Sequence, residues 1–290
     1  LLFLLLFFIG LYMVLTTRPS PAQVREGALL LELDGSVVEE ATKPDPLSIP
    51  LSQELPGKEY QARDLIRAIN AAVTDKRIKA VVLDLSRFTG GGQVHLAEIG
   101  AALDQVRAAK KPVLAFAAAY ADDGVMLASH ASEVWVDPMG GAMIAGPGGD
   151  QLYYAGLIDK LKVNAHIFRV GTYKSAIEPY IRSDMSPEAR TDAQALYSSL
   201  WEEWVADVKK ARPSANLSLV TGQPVEWLAA AQGDTAQAAK QAGLVDHLGD
   251  RVAFGNRVAK LVGADTWEPG PGHFAHTELS PWLAANKPSK

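Results

Sequence analysis

Short apolar runs alternate with amphipathic helical patterns in the first half of the chain, and this alternation most constrains its fold. Each run has the length of a buried strand, and the segments between runs carry apolar residues at helical spacing. The predicted strands are Ala28–Leu33, Ala80–Leu85, Pro112–Phe116 and Glu133–Val136, and the predicted helices are Ala62–Val73, Leu96–Ala108 and Asp123–Ala131. Such alternation is typical of βαβ units. The sequence therefore predicts an α/β fold with a mainly parallel sheet and flanking helices.

The pattern continues beyond residue 150. A further strand is predicted at Ala165–Val170, after a helix at Leu152–Leu161. Ser186-Pro187-Glu188 predicts the start of a long helix, because serine caps a helix and proline and acidic residues suit its first turn. That helix is expected to reach about Lys210. The proline-rich segment Thr42–Lys58 predicts an extended loop.

Composition excludes several classes of protein. The chain has no cysteine, which removes disulfide scaffolds, cysteine metal sites and cysteine nucleophiles. Its net charge is -5 and no run of Lys or Arg exceeds a pair, so we expect no nucleic-acid partner. The histidines form no HExxH motif, and His273 and His276 lie in a polar tail. We therefore expect neither a metal nor a cofactor.

The N-terminal residues Leu1–Leu15 are apolar and uncharged. A membrane-spanning helix needs ~20 such residues, and the apolar part of a secretory signal has ~7–15. We expect residues 1–17 to be the C-terminal part of a truncated transmembrane anchor, followed by a linker over residues 18–27. A cleaved secretory signal is the alternative.

Two features are candidates for chemistry. Gly90–Gly92 follows a predicted strand and is either a backbone nest facing an anion or a tight turn. Lys174 follows a predicted strand and Gly171, among small and aromatic residues, where loss of solvent would favour a neutral, basic amine. The alternative for Lys174 is an ordinary surface charge. A Gly-x-Ser-x-Gly nucleophile motif is missing, and Ser129 beside His130 is expected to be structural.

Two stretches of sequence resemble a known family. The first, around Lys174, reads FRVGTYKSAIEPYIRSDMSPEAR. The second, before the predicted helix Leu96–Ala108, reads IKAVVLDLSRFTGGG. Both are similar to the signal peptide peptidase A (protease IV) family, and specifically to the N-terminal half of its long, two-domain bacterial form. The resemblance covers roughly Ala28 to Asp265.

The resemblance implies a Clp protease/crotonase-like α/β domain over residues 28–265. It further implies a linker over residues 266–290, leading to a C-terminal catalytic half. Lys174 matches the general-base lysine of the family, while the serine nucleophile belongs to the C-terminal half. The place of that serine is taken here by Asp123, and Gly90–Gly92 matches an oxyanion loop that would be vestigial in this half.

The expected function is that of a membrane-anchored serine endopeptidase with a Ser–Lys dyad that degrades cleaved signal peptides. The resemblance places it in the bacterial inner membrane with the catalytic domain on the periplasmic side. Expected partners are the C-terminal half of the same polypeptide, apolar signal peptides, the lipid bilayer and further copies in a homo-oligomer. A crotonase-like acyl-CoA enzyme and a non-catalytic scaffold half remain as alternatives.

Overall fold

The computed structural model describes residues 2–16, 23–42 and 58–287. In chain order, its strands are β1 (Gly27–Glu32), β2 (Gly35–Val38), β3 (Lys58–Gln61), β4 (Ile78–Asp84), β5 (Gly90–Gly91), β6 (Val113–Tyr120), β7 (Glu133–Ala142), β8 (His247–Leu248) and β9 (His276–Glu278). Its helices are α1 (Leu2–Thr16), α2 (Ala62–Thr74), α3 (Gln93–Ala108), α4 (Asp122–Ser129), α5 (Ala155–Lys160), α6 (Glu178–Ile181), α7 (Pro187–Ala211), α8 (Leu217–Gly222), α9 (Pro224–Ala230), α10 (Thr235–Gln241), α11 (Arg251–Val262) and α12 (Leu279–Ala285).

The main sheet has the strand order β8-β7-β6-β4-β1-β9, and its neighbouring strands are parallel. Leu83 of β4 lies between Leu31 of β1 and Ala115 of β6 in the register. A small parallel sheet, β3-β2-β5, accompanies it. The predicted parallel α/β fold is therefore confirmed.

The core lies on both faces of the main sheet. On one face α11 packs its buried residues against β1, β4 and β6, and the stacked rings of Phe116 and Phe254 lie 5.2 Å apart. Helices α2 and α3 contact each other as well as β4 and β6. Their apolar positions Leu65, Ile69 and Leu103 are fully buried. Strands covered on both faces read as continuous apolar runs, which explains why the sequence made them easy to predict.

The chain divides into two compact units rather than the single domain expected over residues 28–265. The first unit is Leu1–Ile144 together with Val208–Lys290, and the second is Ala145–Asp207. All residues of the second unit are described, and none of them forms a strand. The second unit therefore interrupts the alternation of strand and helix, which resumes in the first unit with β8, α11 and β9.

The strand predicted at Ala165–Val170 is wrong. The residues join no sheet in the described part of the chain, and Phe168 and Val170 are 95% and 92% exposed. A strand needs a neighbour to receive its backbone hydrogen bonds. The residue pattern reports only the preference for extended backbone and not whether a neighbour exists.

The linker predicted over residues 266–290 is also wrong in its described part. Strand β9 pairs with β1 at the edge of the sheet, with His276 opposite Ala28. Helix α12 then buries Trp282 completely, and its indole N–H donates to the carbonyl of Ala68 at 2.8 Å. Proline, glycine and polar residues suggested a linker, but one buried tryptophan fastens this segment to α2.

The N-terminal helix, the expected loop and linker, and the Ser186 cap each have a separate outcome. Residues 2–16 form α1, and within the described ranges none of the helices combines the length and the apolarity that crossing a membrane requires. Most of the loop expected at Thr42–Lys58 and half of the linker expected at 18–27 lie outside the described residues, and Gly27 already belongs to β1. The Ser186 cap is confirmed, since its hydroxyl accepts the N–H of Ala189 at 3.1 Å.

An ion pair joins the segment before β1 to the segment before β9. The guanidinium of Arg25 donates to both carboxylate oxygens of Asp265, at 2.7 and 2.6 Å. Asp265 is only 3% exposed and also accepts the N–H of Trp267 at 2.8 Å. These hydrogen bonds, above all those from Arg25, hold the pKa of Asp265 well below its ordinary value. His276 is the other titratable group close by, with Nδ1 at 3.7 Å.

Replacement of Asp265 by asparagine tests this ion pair. A carboxyl whose pKa is depressed by folding stabilises the protein above its unfolded-state pKa, and that stabilisation is lost as the pH falls below it. We expect Asp265→Asn to lower the free energy of unfolding by roughly 2–4 kcal/mol at pH 7. The difference from wild type should shrink below about pH 4. Urea unfolding at pH 7, 5 and 3 measures it, with the exposed Asp159→Asn as control. A difference independent of pH would contradict the assignment.

Candidate active site

The loop after β4 brings two glycines against a carboxylate. Gly90 and Gly91 form β5, which pairs with β2. The N–H of Gly91 donates to Oδ2 of Asp123 at 2.9 Å. Gly90 has φ +105°, and a Cβ added there would lie 2.5 Å from the same oxygen. The turn therefore depends on glycine both for its backbone conformation and for the approach of the carboxylate.

Asp123 lies in the first turn of α4, directly after β6, as the sequence led us to expect. The positive end of the helix dipole favours a negative charge at this place. An ionised carboxylate can only accept hydrogen bonds, so it is a natural partner for a backbone N–H. Gly90–Gly92 is therefore an anion-facing turn, and the anion that it faces is a side chain of the protein itself.

Lys174 belongs to the second unit and lies in an exposed turn before α6. Its N–H donates to the carbonyl of Gly171 at 3.3 Å, and Gly171 has φ +102°. Its own carbonyl accepts a hydrogen bond from Nη1 of Arg169, also at 3.3 Å. Lys174 was expected at the end of a strand, and this is wrong because residues 165–170, directly before its turn, form no strand. The structure brings Gly91 and Asp123 together, whereas Lys174 belongs to the other unit.

The sequence analysis missed Glu178, which begins α6 and is only 2% exposed. Its carboxylate accepts the N–H of Ser186 at 3.0 Å, and hydrogen bonds from Ser186 hold the pKa of Glu178 below its ordinary value. Its place among the mainly apolar residues Ser175–Ile181 is the signal that could have identified it. A cavity of about 260 Å³ lies beside it, lined by Tyr153, Ser175, Glu178, Leu196 and Tyr197 among others.

The first unit has a second, larger cavity, of about 390 Å³, between the sheet and α11. Leu30, Val82 and Phe254 form apolar parts of its lining. Asp84 at its rim is held by an ion pair with Arg251. This ion pair stabilises one polar part of the lining, which also includes histidine and glutamate side chains.

The remaining candidates are structural. The hydroxyl of Ser129 donates to the carbonyl of Met126 at 2.6 Å, and Nδ1 of His130 lies 3.0 Å from Asp104. Nδ1 of His273 lies 2.7 Å from the carbonyl oxygen of Glu268. Across the described ranges, no group of three or more His, Asp or Glu side chains has the geometry to hold a metal ion.

Comparisons with known proteins show that the sequence of this chain is similar to those of peptidases. The family described as Peptidase family S49 matches residues 105–265. "Protease 4" of Salmonella typhi is 36% identical over 270 residues, which are 90% of this chain and 44% of the relative. "Protease 4" of Haemophilus influenzae is 36% identical over 252 residues, 85% of this chain and 41% of the relative. The chain thus spans less than half the length of these relatives.

Solved structures are more distant. The 1510-N membrane-bound stomatin-specific protease, in complex with a substrate peptide, has 14% identity and a TM-score of 0.41, covering 88% of this chain and 91% of that one. An enoyl-CoA hydratase/carnithine racemase from Magnetospirillum magneticum has 16% identity and a TM-score of 0.37, covering 81% and 70%. Scores of this size carry no argument about function.

Replacement of Gly90 by alanine tests the contact with Asp123. We expect Gly90→Ala to lower the free energy of unfolding by about 1–3 kcal/mol, because the new Cβ meets both a positive φ and the carboxylate oxygen. In an Asp123→Ala background the steric part disappears and the loss should be smaller. Urea unfolding measures both, with Gly148→Ala as control, since a Cβ at Gly148 meets nothing within 4 Å. Equal losses in the two backgrounds would contradict the assigned contact.

Proposed function

We propose that this chain, which belongs to Peptidase family S49, supplies the general base of a serine peptidase whose nucleophile lies in the rest of the polypeptide. The observation that carries the proposal is the hydrogen bond between Asp123 and Gly91. A carboxylate at the start of α4 takes up the backbone N–H that an oxyanion would need. At that place the chain has Asp123 instead of a serine, and the N–H of Gly91 is already engaged, so the contribution that we propose for this chain is the amine of Lys174.

The proposed mechanism is that of a Ser–Lys dyad. The neutral amine of Lys174 takes the proton of the serine hydroxyl as the oxygen attacks the peptide carbonyl. The ammonium then returns that proton to the departing amine of the cleaved peptide. Oxyanion donors and serine come from the C-terminal half, so that the active site is complete only when both halves are present.

Exposed apolar side chains around Lys174 support a partner at this surface. Phe168, Val170 and Tyr173 are all exposed in the second unit. Several large apolar side chains exposed within one short segment favour a place where another protein surface binds. Covering it would also remove water from Lys174, which favours the neutral amine that the mechanism requires. The proposed partners are the C-terminal half of the same polypeptide and further copies in a homo-oligomer.

The proposal extends to substrate, location and fold family. The substrates are apolar signal peptides, and the domain has the Clp protease/crotonase-like form of the α/β fold. The uncharged helix α1, with Leu2–Tyr12 exposed, supports attachment to a lipid bilayer. Its proposed location is the bacterial inner membrane, with the catalytic domain on the periplasmic side.

Two other functions fit the site less well. A crotonase-like acyl-CoA enzyme needs free backbone N–H groups for the thioester oxygen, and the N–H of Gly91 is already engaged. A non-catalytic scaffold half makes no use of Lys174. Replacement of Lys174 therefore distinguishes the serine peptidase, which needs this residue, from the acyl-CoA enzyme and the scaffold half, which do not.

Replacement of Lys174 in the full-length protein tests the proposal. Lys174→Ala removes the base, and Lys174→Arg replaces it with a guanidinium that keeps its proton. We expect each change to lower kcat/KM by ~10²–10⁴ or more, because base and nucleophile act as a unit. Hydrolysis of a fluorogenic apolar peptide measures the effect, and circular dichroism melts verify the fold.

The controls use Lys160, an exposed lysine at the end of α5 in the same unit. Lys160→Ala should leave kcat/KM unchanged. The isolated 290-residue chain should neither cleave the peptide nor be labelled by a serine-directed phosphonate. A folded Lys174 variant that keeps more than about a tenth of wild-type activity would favour the scaffold half, since a lost general base costs more than that.

A topology reporter tests the proposed membrane attachment. In the full-length protein with its natural N-terminus, an enzyme active only in the periplasm is fused after Gly27. We expect an active reporter and a protein that stays with the membrane after an alkaline wash, because a spanning apolar helix is held by burial in hydrocarbon. An inactive reporter or complete release would rule out the proposed anchor and orientation.

A further inference from the structure

We propose that Arg169 is a positioning residue for Lys174 and that it is itself held by the buried carboxylate of Glu178. The inference rests on the proposed role of Lys174 as general base. A single nitrogen makes the connection: Nη1 of Arg169 donates to the carbonyl of Lys174 at 3.3 Å and lies 3.9 Å from Oε1 of Glu178. The backbone at Lys174 is thereby tied to a buried charge.

Glu178 is the fixed end of this arrangement. Its Oε2 accepts the N–H of Ser186, and Ser186 in turn caps α7 through the N–H of Ala189. The start of α6 is therefore fastened to the start of α7. A carboxylate this deeply buried is expensive unless it has partners. Here the N–H of Ser186 donates to one oxygen, and the positive charges of Arg182 and Arg169 act on the carboxylate. The lowered pKa of Glu178 keeps it ionised near neutral pH.

Arg169 is the movable end. Its guanidinium is partly exposed, whereas the side chain of Glu178 is not. A guanidinium presents several N–H donors in a rigid plane, so one side chain can serve a carboxylate and a carbonyl together. An exposed arginine without such partners would sample many rotamers. The two contacts therefore select one orientation of Arg169, and with it one position of the Lys174 carbonyl.

Lys174 needs such support because few hydrogen bonds hold the turn that contains it. It lies in a turn next to Gly171, whose positive φ is a conformation that only glycine adopts freely. The turn itself contributes a 3.3 Å hydrogen bond from the N–H of Lys174 to Gly171 and a 3.0 Å bond from Ser175 to Tyr173. A general base must lie within hydrogen-bond reach of its proton, and a displacement of about 1 Å can cost ~10²-fold in rate.

The test compares variants of Arg169 in the full-length protein with a fluorogenic apolar peptide. We expect Arg169→Ala to lower kcat about 10- to 100-fold with KM changed less than about twofold, because position rather than substrate binding is lost. Arg169→Lys should recover part of kcat, since an ammonium retains the charge and a donor. The matched control is Arg190→Ala, because Arg190 is an exposed arginine of the same unit and lies on α7, outside the contacts between Arg169, Lys174 and Glu178. Melting temperatures accompany every variant.

A second variant tests the buried end. Glu178→Gln keeps the size of the side chain and an acceptor for the N–H of Ser186 but removes the charge that holds Arg169. We expect kcat to fall in the same direction and less than in Arg169→Ala. Since both residues act through one contact, the double variant should be no slower than Arg169→Ala alone. Additive losses would overturn the proposed connection between Glu178 and Arg169.

Lys174→Ala, measured in parallel, separates the two levels of inference. An active Lys174→Ala enzyme would overturn the general-base proposal itself. An inactive Lys174→Ala enzyme together with wild-type kcat in Arg169→Ala would overturn the positioning role alone. A lowered melting temperature with no recovery in Arg169→Lys would also overturn it, because the residue would then only stabilise the turn.

Discussion

Parallel pairing of the strands determines where the chemical groups of the first unit lie. Because β4 and β6 run in the same direction, with Leu83 beside Ala115, their carboxyl ends open at one edge of the sheet. The loop after β4 and the helix after β6 therefore begin next to each other. Gly91 and Asp123 are 32 residues apart in the sequence, yet a hydrogen bond joins them. Antiparallel strands would have placed the two at opposite edges.

The second unit is organised around polar contacts. Its buried carboxylate, Glu178, is satisfied by a helix start, and the same carboxylate holds the guanidinium beside Lys174. Apolar residues such as Phe168 and Val170 remain exposed. A segment built in this way has little core of its own. Its conformation depends on a few specific hydrogen bonds, each of which is individually worth only about 0.5–3 kcal/mol.

The sheet and its helices could be predicted from the sequence because buried parallel strands are long apolar runs, as in Ile78–Asp84. Three features could not. Residues 165–170 had the right composition for a strand but pair with no strand in the described part of the chain. Trp282 was hidden in a segment rich in proline and polar residues. Glu178 is a residue type that is rarely buried, and nothing in its type reveals that a helix start and an arginine satisfy it. The role proposed for Lys174 rests on the family resemblance, since most lysines are surface charges and its residue type alone indicates nothing more.

The hydrogen bond between Asp123 and Gly91 also means that a carboxylate of the same chain already occupies the anion-facing turn. A tethered carboxylate competes with any incoming carbonyl at an effective concentration on the order of millimolar or more, without diffusing away. A peptide that entered from solution would have to displace a charged acceptor with a neutral and weaker one. The anion-facing turn is thus occupied by its own chain before any other acceptor arrives. A ligand at this place would bind only as strongly as its contacts exceed those of the resident carboxylate.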